Sequence, residues 1–247
     1  MKAKEQKYTK HFEVDANKQI ITIFDDRWYY LKKLDKYAKS VTTVLQAYPK
    51  GYGYDQWLKT VGLNSKIIVD QAKEFGSAFH DTIEQFLLHN EVFWDDYNME
   101  VWERFMLWYK WWKTTNFNYN ETDVEKKMYS PSLDVAGTID LLSKEDDKLI
   151  IYDWKSGNYI HDTAIIQQSV YSYMVKEQYN LDYYPKAYLV WIPRKKPNKK
   201  GYRIKEVKNI PHNIEIFKNT QAIYQETHKN DKPKVLEYPI SLKKEMK

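Results

Sequence analysis

At Asp123 the apolar residues change their spacing, and that change restricts the fold more than any other feature of the chain. Upstream they recur at helical intervals. Ile68, Ala72, Phe75, Phe79, Ile83 and Leu87 line one face of a helix predicted from about 64 to 88. Val101, Phe105, Trp108 and Trp112 form a similar stripe on a helix predicted over 98–113. Downstream the period falls toward two, predicting strands over 124–129, 135–142 and 149–154. A helix over 162–178, strands over 187–193 and 202–207, and a closing helix over 214–228 complete the order. Helices, then a meander, then helix and strand again predict a single α/β domain over 1–247, with a central mixed β-sheet flanked by helices.

Residues 1–62 read as an N-terminal elaboration and 63–210 as the core. Strands are predicted over 11–15 and 20–24 around a turn at Ala16-Asn17-Lys18, with a third over 27–31. Ser40 is placed to cap a short helix over 41–47, which Pro49 stops. Gly51-Tyr52-Gly53-Tyr54 reads as a loop, and a second short helix ends at Gly62. The 16% aromatic content supplies flat side chains suited to a core or to stacking on bases; the 101–112 stripe is read as core. The chain has no cysteine, which excludes disulfides, thiolate zinc sites, cysteine-ligated iron–sulfur clusters and a cysteine nucleophile. The first residues carry charge with no apolar run after them, and nothing approaches a membrane span, so a soluble cytoplasmic protein is expected. A net charge of +5 permits a polyanionic partner without requiring one.

The chemistry concentrates between Gly137 and Gly157. Alternation along a strand puts Asp153 and Lys155 on one side and Trp154 on the other. A turn centred on Glu145 and Asp146 would set Asp140 opposite Ile151 and Thr138 opposite Asp153. Asp140, Asp153 and Lys155 would then converge, and a one-residue slip would separate them. Two carboxylates and a backbone carbonyl suit a hard cation such as Mg²⁺ or Mn²⁺. A lysine beside them can stabilise charge developing on a phosphate.

With these residues in view, the chain resembles the PD-(D/E)XK nuclease superfamily, in particular its RecB-like exonuclease branch. It is similar there to phage-encoded and mitochondrial single-strand DNA exonucleases. The motifs occur in order as Gly76-Ser-Ala-Phe-His80, Gly137-Thr-Ile-Asp140, Asp153-Trp-Lys155 and Gln167-Gln-Ser-Val-Tyr171. The Ser40-Val-Thr-Thr-Val-Leu stretch, Trp57 and Gly62 also resemble that branch's entry region.

The resemblance implies a metal-dependent DNA exonuclease using one or two Mg²⁺ or Mn²⁺ ions. It makes His80, Asp140, Asp153 and the Trp154 carbonyl the metal ligands, Lys155 the catalytic lysine, and Gln167 with Tyr171 a brace or a hold on the DNA backbone. Glu125 is a further candidate facing the site. DNA, single-stranded or with free ends, would be the partner, with a separate recombination or single-strand-binding protein beside it. The composition, rich in Lys, Tyr, Asn and Ile, suggests an AT-rich genome such as a phage's. No Gly-x-x-x-x-Gly-Lys-[Ser/Thr] phosphate loop is present, so the chain carries no helicase motif of that kind. A structure- or sequence-specific endonuclease on the same fold, and a module that binds nucleic acid without cutting, remain the alternatives. The run Arg194-Lys-Lys-Pro-Asn-Lys-Lys-Gly201 reads either as a solvated hairpin tip or as a clamp on phosphates.

Overall fold

The computed structural model describes residues 26–193 and 198–229, and the backbone of two short strands before them. The predicted turn at Ala16-Asn17-Lys18 and the Arg194–Pro197 part of the basic run lie outside the described residues. Among the described residues, nine strands join in one mixed sheet. An antiparallel ribbon comes first: β1 (Phe12–Val14), β2 (Ile20–Ile23), β3 (Asp26–Leu31) and β4 (Lys36–Ser40). The central strands are β5 (Val124–Ser130), β6 (Val135–Glu145) and β7 (Lys148–Lys155), with β8 (Lys186–Trp191) and β9 (Arg203–Glu206) beyond.

Six α-helices flank them: α1 (Val41–Val44), α2 (Gly51–Val61), α3 (Ser65–His89), α4 (Met99–Trp112), α5 (Asp162–Gln178) and α6 (Ile210–Thr227). The expected α/β architecture is therefore present. Ser40 caps α1 as predicted, its hydroxyl accepting the Thr43 N–H at 2.9 Å. Strand β4 was not foreseen, and Gly51–Tyr54 forms the first turn of α2 rather than a loop.

The sheet has a core layer on each face. One packs α5 and α6 against Ile139, Leu142, Ile151 and Leu189. The other packs α3 and α4 against Leu141, Tyr152, Trp154 and Val190. Trp108 and Phe105 are fully enclosed there, so the α4 aromatic stripe is core. Trp108 meets Trp154 edge to face at 5.4 Å. That contact anchors Trp154 on the α4 side, which leaves Asp153 and Lys155 to project from the opposite face.

The long apolar stripe predicted for α3 is buried only in its second half, at Phe79, Ile83 and Leu87. Ile68 and Ala72 are exposed, because only the C-terminal half of the helix reaches the sheet. Helical spacing reports which residues share a face, and it does not say how far along the helix a neighbour extends.

The β6–β7 turn falls at Asp146 and Asp147 rather than at Glu145 and Asp146. Both have positive φ, 45° and 63°, as a two-residue type I′ hairpin requires, and aspartate tolerates that backbone better than most residues. The register is therefore Leu141↔Tyr152 and Leu142↔Ile151, shifted by two residues from the expectation. An even shift preserves which side chains share a face.

Candidate metal and catalytic site

Strand β6 forks at Asp140. Along one edge it pairs with β5 from Val135 to Leu141. Along the other it pairs with β4 at Val135 and Ala136, and with β7 from Leu141 onward. Between those stretches the second edge has no ladder partner among the described residues. Ile139 and Leu142 both belong to the α5 layer while Leu141 belongs to the α4 layer, so the strand's alternation slips by one at this point. At the fork the Asp140 carboxylate replaces a backbone acceptor, taking the Trp154 N–H on Oδ2 at 2.8 Å.

Asp153 is 1% exposed, and its two oxygens are held differently. Oδ1 accepts from Gln168 Nε2 at 2.8 Å. Oδ2 has the Lys155 ammonium 2.7 Å away but receives no well-directed hydrogen bond among the described residues. Burial raises both carboxyls from 3.8 to about 6, against the opposing pull of Lys155. Burial alone would lower the lysine, but Asp153 and Asp140 outweigh it and hold the ammonium above its ordinary value. Lys155 therefore stays charged and is suited to stabilising negative charge rather than to accepting a proton.

His80 enters from α3. Its Nε2 lies 2.8 Å from the Trp154 carbonyl oxygen, which can only accept, so Nε2 carries the proton. Nδ1 is then a bare lone pair, 3.3 Å from Asp140 Oδ2. Burial, aided by the Lys155 charge, lowers the imidazole to about 4, so it is neutral at physiological pH. His80, Glu125 and Asp140 each offer a ligand atom within 4.8 Å of one another. Lone pairs gathered this closely repel unless a proton or a cation sits among them, and the donor set of carboxylate oxygens and imidazole nitrogen fits a divalent ion.

Glu125 stands opposite Asp140 in the β5–β6 register, between the pairs Val124↔Leu141 and Lys126↔Ile139. Its φ is +45°, a left-handed conformation in mid-strand that costs about 1–2 kcal/mol for such a residue. Burial first, then Asp140, Glu84 and Asp153, push its carboxyl up to about 9. Glu84 lies one turn after His80 on α3 and is likewise raised by burial. Sequence reasoning missed Glu84, although its i+4 spacing from His80 was a usable signal.

Gln167 donates to the Tyr171 hydroxyl at 3.0 Å, and Tyr171 is buried. The side chain that holds Asp153 is the neighbouring Gln168, which the motif did not single out. Tyr171 lies across β6 at Gly137, where an added Cβ would sit 2.8 Å from its hydroxyl oxygen and 2.9 Å from its Cζ. The glycine of one motif and the tyrosine of another are thus a single steric unit. Gly137→Ala is expected to destabilise the fold by about 1–3 kcal/mol through overpacking. In a Tyr171→Ala background the same glycine substitution should cost less, as urea unfolding of the two single variants and the double would show. At Gly76 the nearest neighbour of an added Cβ is Ser156 Oγ at 3.8 Å, so no close approach requires glycine there.

Among the described residues no helix is long and apolar enough to cross a membrane. A family model described as the PD-(D/E)XK nuclease superfamily matches residues 88–241, more than half of the chain. The match takes in Glu125, Asp140, Asp153 and Lys155 and begins after His80. No curated protein sequence matches the chain significantly.

Proposed function

This chain belongs to the PD-(D/E)XK nuclease superfamily, and we propose that it is a Mg²⁺- or Mn²⁺-dependent exonuclease that hydrolyses DNA phosphodiesters from free, single-stranded ends. The observation that carries the reading is the β6 fork, where His80, Glu125 and Asp140 crowd their ligand atoms beside the Asp153–Lys155 pair. His80, Asp140, Asp153 and the Trp154 carbonyl would hold the ion, with Glu125 completing the cluster. A divalent cation bound there supplies a more acidic water and neutralises charge on the phosphorane-like transition state. Lys155 places its ammonium on the same phosphate. Gln168 fixes Asp153, and the Trp154 side chain, locked in the aromatic core, fixes the strand that carries Asp153 and Lys155. Gln167 and Tyr171 brace β6 from α5.

The preference for ends rests on the RecB-like order of the motifs, and a role in recombination, repair or replication, in the cytoplasm of a cell or of a phage's host, follows from it. A closed single-stranded circle and its linearised form, each incubated with Mg²⁺, provide the test. Degradation of the linear form alone is expected. Cutting of the circle would replace the exonuclease reading with an endonuclease, and binding to both without cutting would leave a non-cleaving module.

A further inference from the structure

Strand β7 continues sideways into a charged edge. In the ladder Lys155 lies beside Trp191 of β8, and Trp191 beside Arg203 of β9. One step back, Asp153 lies beside Leu189, and Leu189 beside Lys205. Residues directly abreast share a face, so Lys155, Trp191, Arg203 and Lys205 project from the same side of the sheet. With strands about 4.8 Å apart, this row runs about 10 Å outward from the catalytic lysine. Trp191 is half-buried and Arg203 and Lys205 are exposed. The Glu206 side chain belongs to the other face, opposite Tyr188, and pairs with Lys208.

The hairpin that joins β8 to β9 is built rather than loose at its described end. Asn198 Oδ1 accepts the N–H groups of Lys200 and Gly201 at 2.9 and 3.0 Å, and its amide donates to the Tyr202 carbonyl. Gly201, at φ +85°, sits so close to α4 that an added Cβ would come within 2.7 Å of Leu107 Cδ2. Lys199 and Lys200 are exposed in this described part of the connection. At the other end the Trp191 indole donates to the Gly157 carbonyl at 2.7 Å, which fixes its plane beside the residues that follow Lys155.

We propose that this β8–β9 edge is a rail for one strand of nucleic acid. The strand leaves the reacting centre over the Trp191 indole and lays its phosphates along Arg203, Lys205 and Lys200. A polyanion is the occupant because the exposed side chains of the row are cationic and the row starts at the proposed catalytic lysine. A single strand is favoured because the one aromatic in the row stands edge-fixed between two cations, where an unpaired base can stack. The inference rests on the nuclease reading above and adds to it where the substrate lies.

The test is fluorescence anisotropy with a fluorescein-labelled oligothymidylate in EDTA, over a range of salt. Lys200→Gln combined with Lys205→Gln should weaken binding roughly tenfold at low salt. The log–log salt slope should become shallower by about 1.4, at about 0.7 per lost phosphate contact. Trp191→Leu should weaken binding at least about fivefold with the slope unchanged, since stacking releases no counterions, and Trp191→Phe should restore it. Lys32→Gln with Lys33→Gln, which removes the same charge at the far end of the sheet, should match the wild type. Mn²⁺ binding should be equal in all of them. If the wild type binds the oligonucleotide and the Lys200/Lys205 variant binds with the same affinity and slope, the rail is wrong and the nuclease reading stands. If the wild type binds no oligonucleotide in EDTA, the rail is wrong, and cleavage in Mg²⁺ decides the nuclease reading separately.

Discussion

Asp140→Asn should abolish Mg²⁺-dependent hydrolysis and divalent-cation binding while making the metal-free protein more stable. The sign follows from the carboxyl's position. Burial raises it from 3.8 to about 6, so at pH 7 the folded chain holds a charge that water would solvate better. A raised carboxyl pKa means that the folded state binds its proton more tightly than the unfolded state does. Its contribution is fully present below about pH 4 and is lost as pH climbs through about 6. Two units correspond to about 3 kcal/mol as an upper bound. Asparagine deletes that loss and can still accept the Trp154 N–H. Thermal unfolding in EDTA at pH 8 should therefore give a Tm up to about 5–10 °C above wild type. Added Mn²⁺ should raise the wild-type Tm and leave the variant's unchanged. Because bound metal must displace these protons, wild-type Mn²⁺ affinity should also fall as pH drops through about 6. An Asp140→Asn protein less stable than wild type in EDTA would mean that the carboxylate is a structural group.

Lys155→Met should show the opposite pattern. Removing the ammonium 2.7 Å from Asp153 leaves a carboxylate that is 1% exposed with no opposite charge beside it. Breaking a buried pair in this way costs about 3–5 kcal/mol, so the variant's Tm in EDTA should fall clearly. A divalent cation supplies the missing charge and should restore most of the loss. Hydrolysis at saturating metal should nevertheless drop by about 10²–10³-fold, the scale for losing one group aimed at transition-state charge. A variant that keeps its turnover would remove Lys155 from the chemistry, whatever happens to its stability.

Much of this was legible in the chain because short-range rules governed it. The α5 boundaries follow from periodicity and match the prediction at both ends, and Ser40 caps its helix where its type predicts. Alternation made Asp153 and Lys155 readable as neighbours, and a register error of two residues left their faces intact. Asp140 joins them through the slip in β6 at the fork, which alternation does not announce. Tertiary facts were not readable. The exposed half of α3, with Ile67 and Ile68 in solvent, carries the same spacing as the buried half. Strand β4 pairs in parallel with β6 nearly a hundred residues away, and nothing local announces it. Gln168 and Gln167 are equally polar neighbours, and only the packing of α5 decides which one reaches Asp153. The left-handed backbone at Glu125 is likewise a product of the fork and not of its own preference.

The account depends on the fork holding a divalent cation that hydrolysis requires. Wild-type protein and an end-labelled single-stranded oligonucleotide, assayed in Mg²⁺, in EDTA, and in EDTA followed by excess Mg²⁺, test it most directly. Cleavage in the first, none in the second and recovery in the third is the predicted outcome. Equal cleavage in Mg²⁺ and in EDTA would contradict it.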